Sequence, residues 1–168
     1  MGLREATVAD TAQLHELSRR TFIESFAASN TPEDIGHYLE ERLSLDQLGF
    51  ELNCLTSKFA VIEEEGLLCA FAKINWGLAQ TEDRQHSVEL QRLYVAKNAQ
   101  GKGFGKLLME WALDQARSKA AKELWLGVWE HNHTARRFYD RYQFTEVGSH
   151  VFRLGSDDQT DLILAKPL

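Results

Sequence analysis

Apolar and polar positions along the chain alternate between two periods, and the switches between them mark out the elements. Leu14, Leu17, Phe22, Ile23 and Phe26 recur at helical spacing behind Asp10 and Thr11, either of which can cap a helix. Thr31-Pro32-Glu33-Asp34 has the make-up of a second helix start: a capping hydroxyl, a proline at the first position and two acids facing the helix dipole. A polar, leucine-spaced stretch runs on to about Leu55 without signals that place its helix ends. Leu3–Thr7, Lys58–Glu63, Leu68–Trp76, His86–Ala96 and Glu123–Trp129 read as strands, the second and third joined around Glu64-Glu65-Gly66. Leu108, Trp111, Ala112 and Ala116 return to helical spacing, and Thr134–Tyr142 reads as a short helix. Phe144–Leu154 and Asp161–Ala165 suggest a closing hairpin around Gly155-Ser156-Asp157-Asp158. The order β-α-α-β-β-β-α-β-α-β-β predicts an α/β chain with a central mixed, mostly antiparallel sheet of about seven strands flanked by about four helices.

Composition narrows the partners. The length of 168 residues suits a single domain over 1–168, and 43% hydrophobic with 26% charged residues is an ordinary globular make-up. A net charge of −6 argues against nucleic acid and is compatible with a cationic substrate. No apolar run is long enough to span a membrane, and the N-terminus lacks an apolar signal region. Cys54 and Cys69 form neither a metal-spaced pair nor a disulfide framework, so a reduced, cytoplasmic setting is the default. His131 and His133 have no third ligand at useful spacing, and the histidines at 15, 37, 86 and 150 form no cluster, so no metal is expected.

Chemistry enters at Gln100-Gly101-Lys102-Gly103-Phe104-Gly105-Lys106. Three alternating glycines between a strand and a helix leave backbone N–H groups uncrowded, beside the positive end of a helix dipole. That suits a phosphate, with Lys102 and Lys106 adding charge. A Walker loop would need Gly at Gln100 and Ser or Thr at Leu107, and the dinucleotide fingerprint would need a small residue at Lys106. A flexible glycine turn is the bland alternative.

The Gln-x-x-Gly-x-Gly arrangement of Gln100, Gly103 and Gly105 resembles the acetyl-CoA pyrophosphate loop of the GNAT N-acetyltransferases. Asn132-x-x-Ala135-x-x-Phe138-Tyr139 and the element order extend that likeness over the whole chain. Thr21-Phe22, Asn30-Thr31-Pro32-Glu33-Asp34 with Tyr38-Leu39, Leu126–Glu130 and Gln159-Thr160-Asp161-Leu162 resemble the PaiA-type polyamine acetyltransferases. Gln143 departs from the glycine usual before the aromatic residue that is here Phe144.

The resemblance implies direct acetyl transfer from acetyl-CoA to a primary amine of a small polyamine such as spermidine or spermine. Two strands, ending near Val95 and Trp129, would splay apart to admit pantetheine. Leu93, Tyr94 and Val95 would bond it through their backbones, and Gln100 to Lys106 would hold the pyrophosphate. Asn132 would reach pantetheine or serve as a helix cap. Ala135 and Phe138 would line the cofactor, with the core as the other place for Phe138. Tyr139 is the candidate general acid for the departing thiolate, or else a half-buried helix tyrosine. Glu89 is the candidate base, through water, or else a strand carboxylate paired with Lys or Arg. The N–H of Val95 or a neighbour would serve the acyl oxygen. Alternation places Glu89, Gln91 and Leu93 on one face of their strand, and Leu90, Arg92 and Tyr94 on the other. Glu24, Glu33, Asp34, Glu40 and Glu41 would hold distal ammonium groups, or else form ordinary solvated helix faces. Acetylation of protein N-termini or lysines, and a non-catalytic acyl-CoA-binding module, are the competing functions. Oligomeric state stays open, a homodimer included.

Overall fold

In the computed structural model, which describes residues 2–168, seven strands form one sheet in the order β1-β2-β3-β4-β5-β7-β6. The strands are β1 (Gly2–Glu5), β2 (Ser57–Glu64), β3 (Leu67–Trp76), β4 (Ser87–Val95), β5 (Glu123–Trp129), β6 (Thr145–Leu154) and β7 (Asp157–Pro167). Five helices flank them: α1 (Thr11–Phe26), α2 (Pro32–Arg42), α3 (Leu45–Leu52), α4 (Phe104–Ser118) and α5 (His133–Arg141). The helix beyond the expected four is α3. Its start is fixed by Ser44, whose hydroxyl accepts from the Gln47 N–H. At the head of α2, Thr31 likewise accepts from the Asp34 N–H, with Pro32 in the first turn.

The core lies on both faces of the sheet. Leu14, Leu17 and Leu48 of α1 and α3 cover one face, and Leu108, Met109, Ala112 and Ala116 of α4 cover the other. Ile23, expected on the buried side of α1, is exposed. The β6–β7 turn is shorter than its composition suggests. Only Gly155 and Ser156 connect the strands, and Asp157 and Asp158 already belong to β7. Gly155 has φ +61°, and a Cβ there would lie 2.7 Å from the Asp34 Cα, so the hairpin closes directly onto the head of α2. Asp34 accepts from the Ser156 N–H at 2.7 Å and so joins α2 to that turn.

Two features of the sheet create the cleft. All neighbouring strands run antiparallel except β4 and β5, which pair in parallel only at Ser87–Glu89 against Glu123–Trp125. Past that point the two strands part. The second feature is a bulge in β4. Lys73 faces Arg92 while its neighbour Ile74 faces Leu90, so Gln91 is an extra residue without a partner. The bulge reverses the facing of everything after it. Glu89 therefore shares a face with Arg92 and Tyr94, not with Gln91 and Leu93 as simple alternation predicts.

Candidate active site

The parting of β4 and β5 opens a cleft of about 1390 Å³ between the Gly-rich loop and α5 on one side and α1, α2 and the β6–β7 hairpin on the other. On the loop side, Gly101 (φ +81°) and Gly103 (φ +84°) are left-handed, with nothing within 4 Å of where their Cβ atoms would lie. The first bond of α4 runs from the Leu107 N–H to the Gly103 carbonyl, so the N–H groups of Phe104, Gly105 and Lys106 precede it without intrahelical partners. Those free donors, a left-handed turn and a helix dipole fit a pyrophosphate. Gly105 serves packing: its Cβ would meet the Phe138 ring at 3.6 Å, so it lets α4 approach α5.

The remaining loop residues divide. Gln100 and Lys106 line the cleft, the Gln100 amide donating to the Val95 carbonyl at 3.2 Å. Lys102 does not line it; its ammonium bonds Glu64 at 2.8 Å. The Phe104 side chain is buried in the core, leaving its backbone to the loop. Asn132 caps α5, its Oδ1 accepting from the Ala135 N–H at 3.1 Å, and both residues line the cleft. The cap and the lining role thus coexist.

Along β4, the Ala96 N–H bonds the Cys69 carbonyl on β3. With that register, the backbone groups of Tyr94 turn to β3 while those of Leu93 and Val95 turn to the gap. The Leu93 backbone and the Val95 N–H are therefore free to meet amides of a ligand, while the Val95 carbonyl accepts from Gln100. Tyr94 offers its side chain instead, with its hydroxyl pushed well above the usual phenol range, first by burial. Tyr139 is buried against Phe138 and Phe144 and lines the cleft; burial pushes its phenol up to about 12. It stays protonated through neutral and mildly alkaline pH.

Glu89, 3% exposed, lines the same cleft and pairs with no Lys or Arg among the described residues. Its oxygens accept from the Asn75 amide (3.0 Å), the Thr81 N–H (2.9 Å) and the Thr81 hydroxyl (2.5 Å). Nearby Arg92 binds Glu51 of α3 through two bonds of 2.6 and 3.0 Å. Lys73 joins Glu51 at 3.1 Å, and burial, followed by the charge of Arg92, lowers it to about 8. This buried trio fixes α3 to the sheet beneath the cleft.

The acceptor side departs most from expectation. Of the five acids on α1 and α2, only Glu24 lines the cleft, and its carboxylate accepts from the Lys97 N–H. Asp34 is taken by Ser156, and Glu40 by Arg19. The acids that do face the cleft include Glu82, Glu89 and Asp161, beside an aromatic wall of Phe22, Phe26, Tyr38, Phe152 and Trp129. His150, which sequence spacing leaves isolated, bonds Glu82 at 2.7 Å and faces Asp161 at 3.8 Å. Burial pushes the Asp161 carboxyl up to about 6 against the attraction of His150.

That shift has a sign. An unfolded Asp titrates near 3.8, so the protonated folded form supports stability fully below that pH, and the support is lost as pH rises through about 6. With the side chain 15% exposed, Asp161→Asn is expected to stabilise the fold at pH 7 by on the order of 2 kcal/mol. At pH 3.5 the difference should vanish, as urea unfolding at both pH values would reveal.

Residues 11–144 match the model of the acetyltransferase (GNAT) family. The chain belongs to that family. It is an N-acetyltransferase. An uncharacterized N-acetyltransferase in the pepI 3′ region of Lactobacillus delbrueckii subsp. lactis is 38% identical over 160 residues, 95% of this chain and 92% of the relative. The crystal structure of the PaiA N-acetyltransferase of Thermoplasma acidophilum in complex with coenzyme A superposes with a TM-score of 0.80 at 23% identity, over 99% of this chain and 98% of that one. The ribosomal-protein-alanine N-acetyltransferase of Brucella melitensis gives a TM-score of 0.70 at 25% identity over the full length of both chains.

Proposed function

We propose that this N-acetyltransferase, acting as one domain over residues 1–168, acetylates a primary amine of a small polyamine such as spermidine or spermine. The observation that carries this reading is the set of carboxylates, Glu82, Glu89 and Asp161, facing an aromatic-walled cleft. Ammonium groups suit such a site: carboxylates attract them and aromatic faces accept their positive charge and methylenes.

Acetyl-CoA supplies an activated acyl carbon and a thiolate leaving group. The loop N–H groups of Gly101 to Lys106 and the gap-facing backbone of Leu93 and Val95 hold it, with Asn132, Ala135 and Phe138 along α5. Glu89, held by Asn75 and Thr81, takes a proton from the attacking amine through water, freeing the nitrogen lone pair to form the new N–C bond. The Val95 N–H donates to the acyl oxygen as negative charge grows there. As the C–S bond breaks, Tyr139 gives its proton to the sulfur and regains one from solvent.

The likeness to the Brucella enzyme supports a second reading, transfer to a protein N-terminus. Values of kcat/KM for spermidine, a monoamine and an N-terminal peptide at two salt concentrations separate the two. Spermidine should be preferred, by a margin that shrinks with salt. A peptide preferred over spermidine, with no salt effect on either, would sink the polyamine assignment. No CoA release with any amine would leave a binding module.

A further inference from the structure

Two acidic stations stand on one wall of the cleft, and the proposed chemistry uses only one of them. Successive residues of the β3–β4 loop reach both: Thr81 bonds Glu89, and Glu82 bonds His150. Glu89 has three donors at its oxygens. Asp161, by contrast, accepts no hydrogen bond among the described residues; the His150 Nε2 stands 3.8 Å away. With its side chain 15% exposed and lining the cleft, this carboxylate presents its oxygens to whatever occupies that space.

The backbone makes room for one. Asp161 pairs with Trp129 across β5 and with His150 across β6, so all three point to the cleft face. The residue beneath them on β5 is Gly127. A Cβ there would come within 3.5 Å of the Asp161 Oδ2 and of the His150 ring, so any larger side chain would fill the space over the carboxylate. Tyr38 from α2 and Tyr94 from β4 line the same cleft, and Arg92 on β4 is already committed to Glu51.

We propose that Asp161, backed by His150 and Glu82, is the subsite for an ammonium group of the acceptor other than the one that attacks. The assignment rests on the polyamine reading and deepens it: the enzyme selects acceptors carrying a second cation. Glu89 and Thr81 serve the reacting nitrogen, and Asp161 holds the next. The His150 ring stands between Glu82, which it bonds, and Asp161, 3.8 Å away.

The test compares 1,4-diaminobutane with n-butylamine, which have the same carbon chain and differ in the second amine. In wild type the diamine should have the higher kcat/KM. Asp161→Asn should cut the diamine-to-monoamine ratio by about 10- to 100-fold, mostly through KM, the scale for removing one partner of a largely buried charge contact. Glu82→Gln should cut it less, because it acts through His150. Retention of the acetyl-CoA-induced melting shift would show that the variant cleft is folded. A ratio unchanged in Asp161→Asn overturns the subsite. So does an equal loss for both amines, which would place Asp161 at the attacking nitrogen. Binding gives a readout that needs no turnover. In the CoA complex, saturating diamine should move the His150 ring nitrogen resonances of wild type and leave them fixed in Asp161→Asn. Fixed resonances in wild type reject the subsite even if the diamine is acetylated. Moving resonances without CoA release retain it and reject the reaction.

Discussion

Tyr139→Phe is expected to lower kcat by roughly 10²–10⁴, the range for losing a positioned general acid, while acetyl-CoA affinity stays at its wild-type value. The structure makes this substitution unusually clean. Tyr139 is buried between Phe138 and Phe144, and among the described residues no group hydrogen-bonds its hydroxyl, so Phe keeps the packing and removes one oxygen. The phenol, pushed up to about 12 by burial, is protonated near neutral pH. Its loss should therefore scale kcat without moving the pH profile near neutrality. Pre-steady-state CoA release alongside an acetyl-CoA melting shift would measure both halves. Wild-type turnover in the variant would mean that the thiolate departs without Tyr139, and would point to Tyr94, which lines the same cleft.

What could be read from sequence here is what is local. The Gly101–Gly105 loop, the Thr31 cap with Pro32 and the Asn132 cap each depend on contacts within a few residues, and local chemistry fixes them. The head of α3 was equally local: Ser44 followed by Gln47 is a start signal, obscured because the leucine spacing of α2 runs straight into it. The bulge at Gln91 is different. Nothing in Leu90-Gln91-Arg92 announces an extra residue; it exists only relative to the register of β3, and it decides which side chains share the face of Glu89. The pairing of His150 with Glu82 joins residues 68 positions apart, and Asp161 reaches them only through the β6–β7 register. The expected acids on α1 and α2 failed for the complementary reason. A charge on an amphipathic helix does not reveal its direction, and Asp34 and Glu40 find partners away from the cleft.

Gly103→Asp should abolish the stabilisation that acetyl-CoA confers. At a ligand concentration near one hundred times the dissociation constant, that stabilisation is about 2.7 kcal/mol in wild type. Two effects combine at this position. Gly103 caps α4 in the left-handed region at φ +84°, where any side chain other than glycine is strained by on the order of 1 kcal/mol. Aspartate also brings a negative charge to the N-terminus where the unpartnered N–H groups of Phe104 to Lys106 would meet a pyrophosphate. The helix itself should tolerate that charge, since an acid at its positive end is favourable. The damage therefore falls on the ligand and not on the fold. Gly103→Ala separates the two effects: it carries the backbone strain without the charge, and no atom lies within 4 Å of its Cβ. The alanine variant should melt slightly lower than wild type and keep most of its acetyl-CoA shift, whereas the aspartate variant should lose the shift altogether. If Gly103→Asp kept the full shift, the pyrophosphate could not sit on this loop, and the anion site would have to be sought elsewhere along the parted strands.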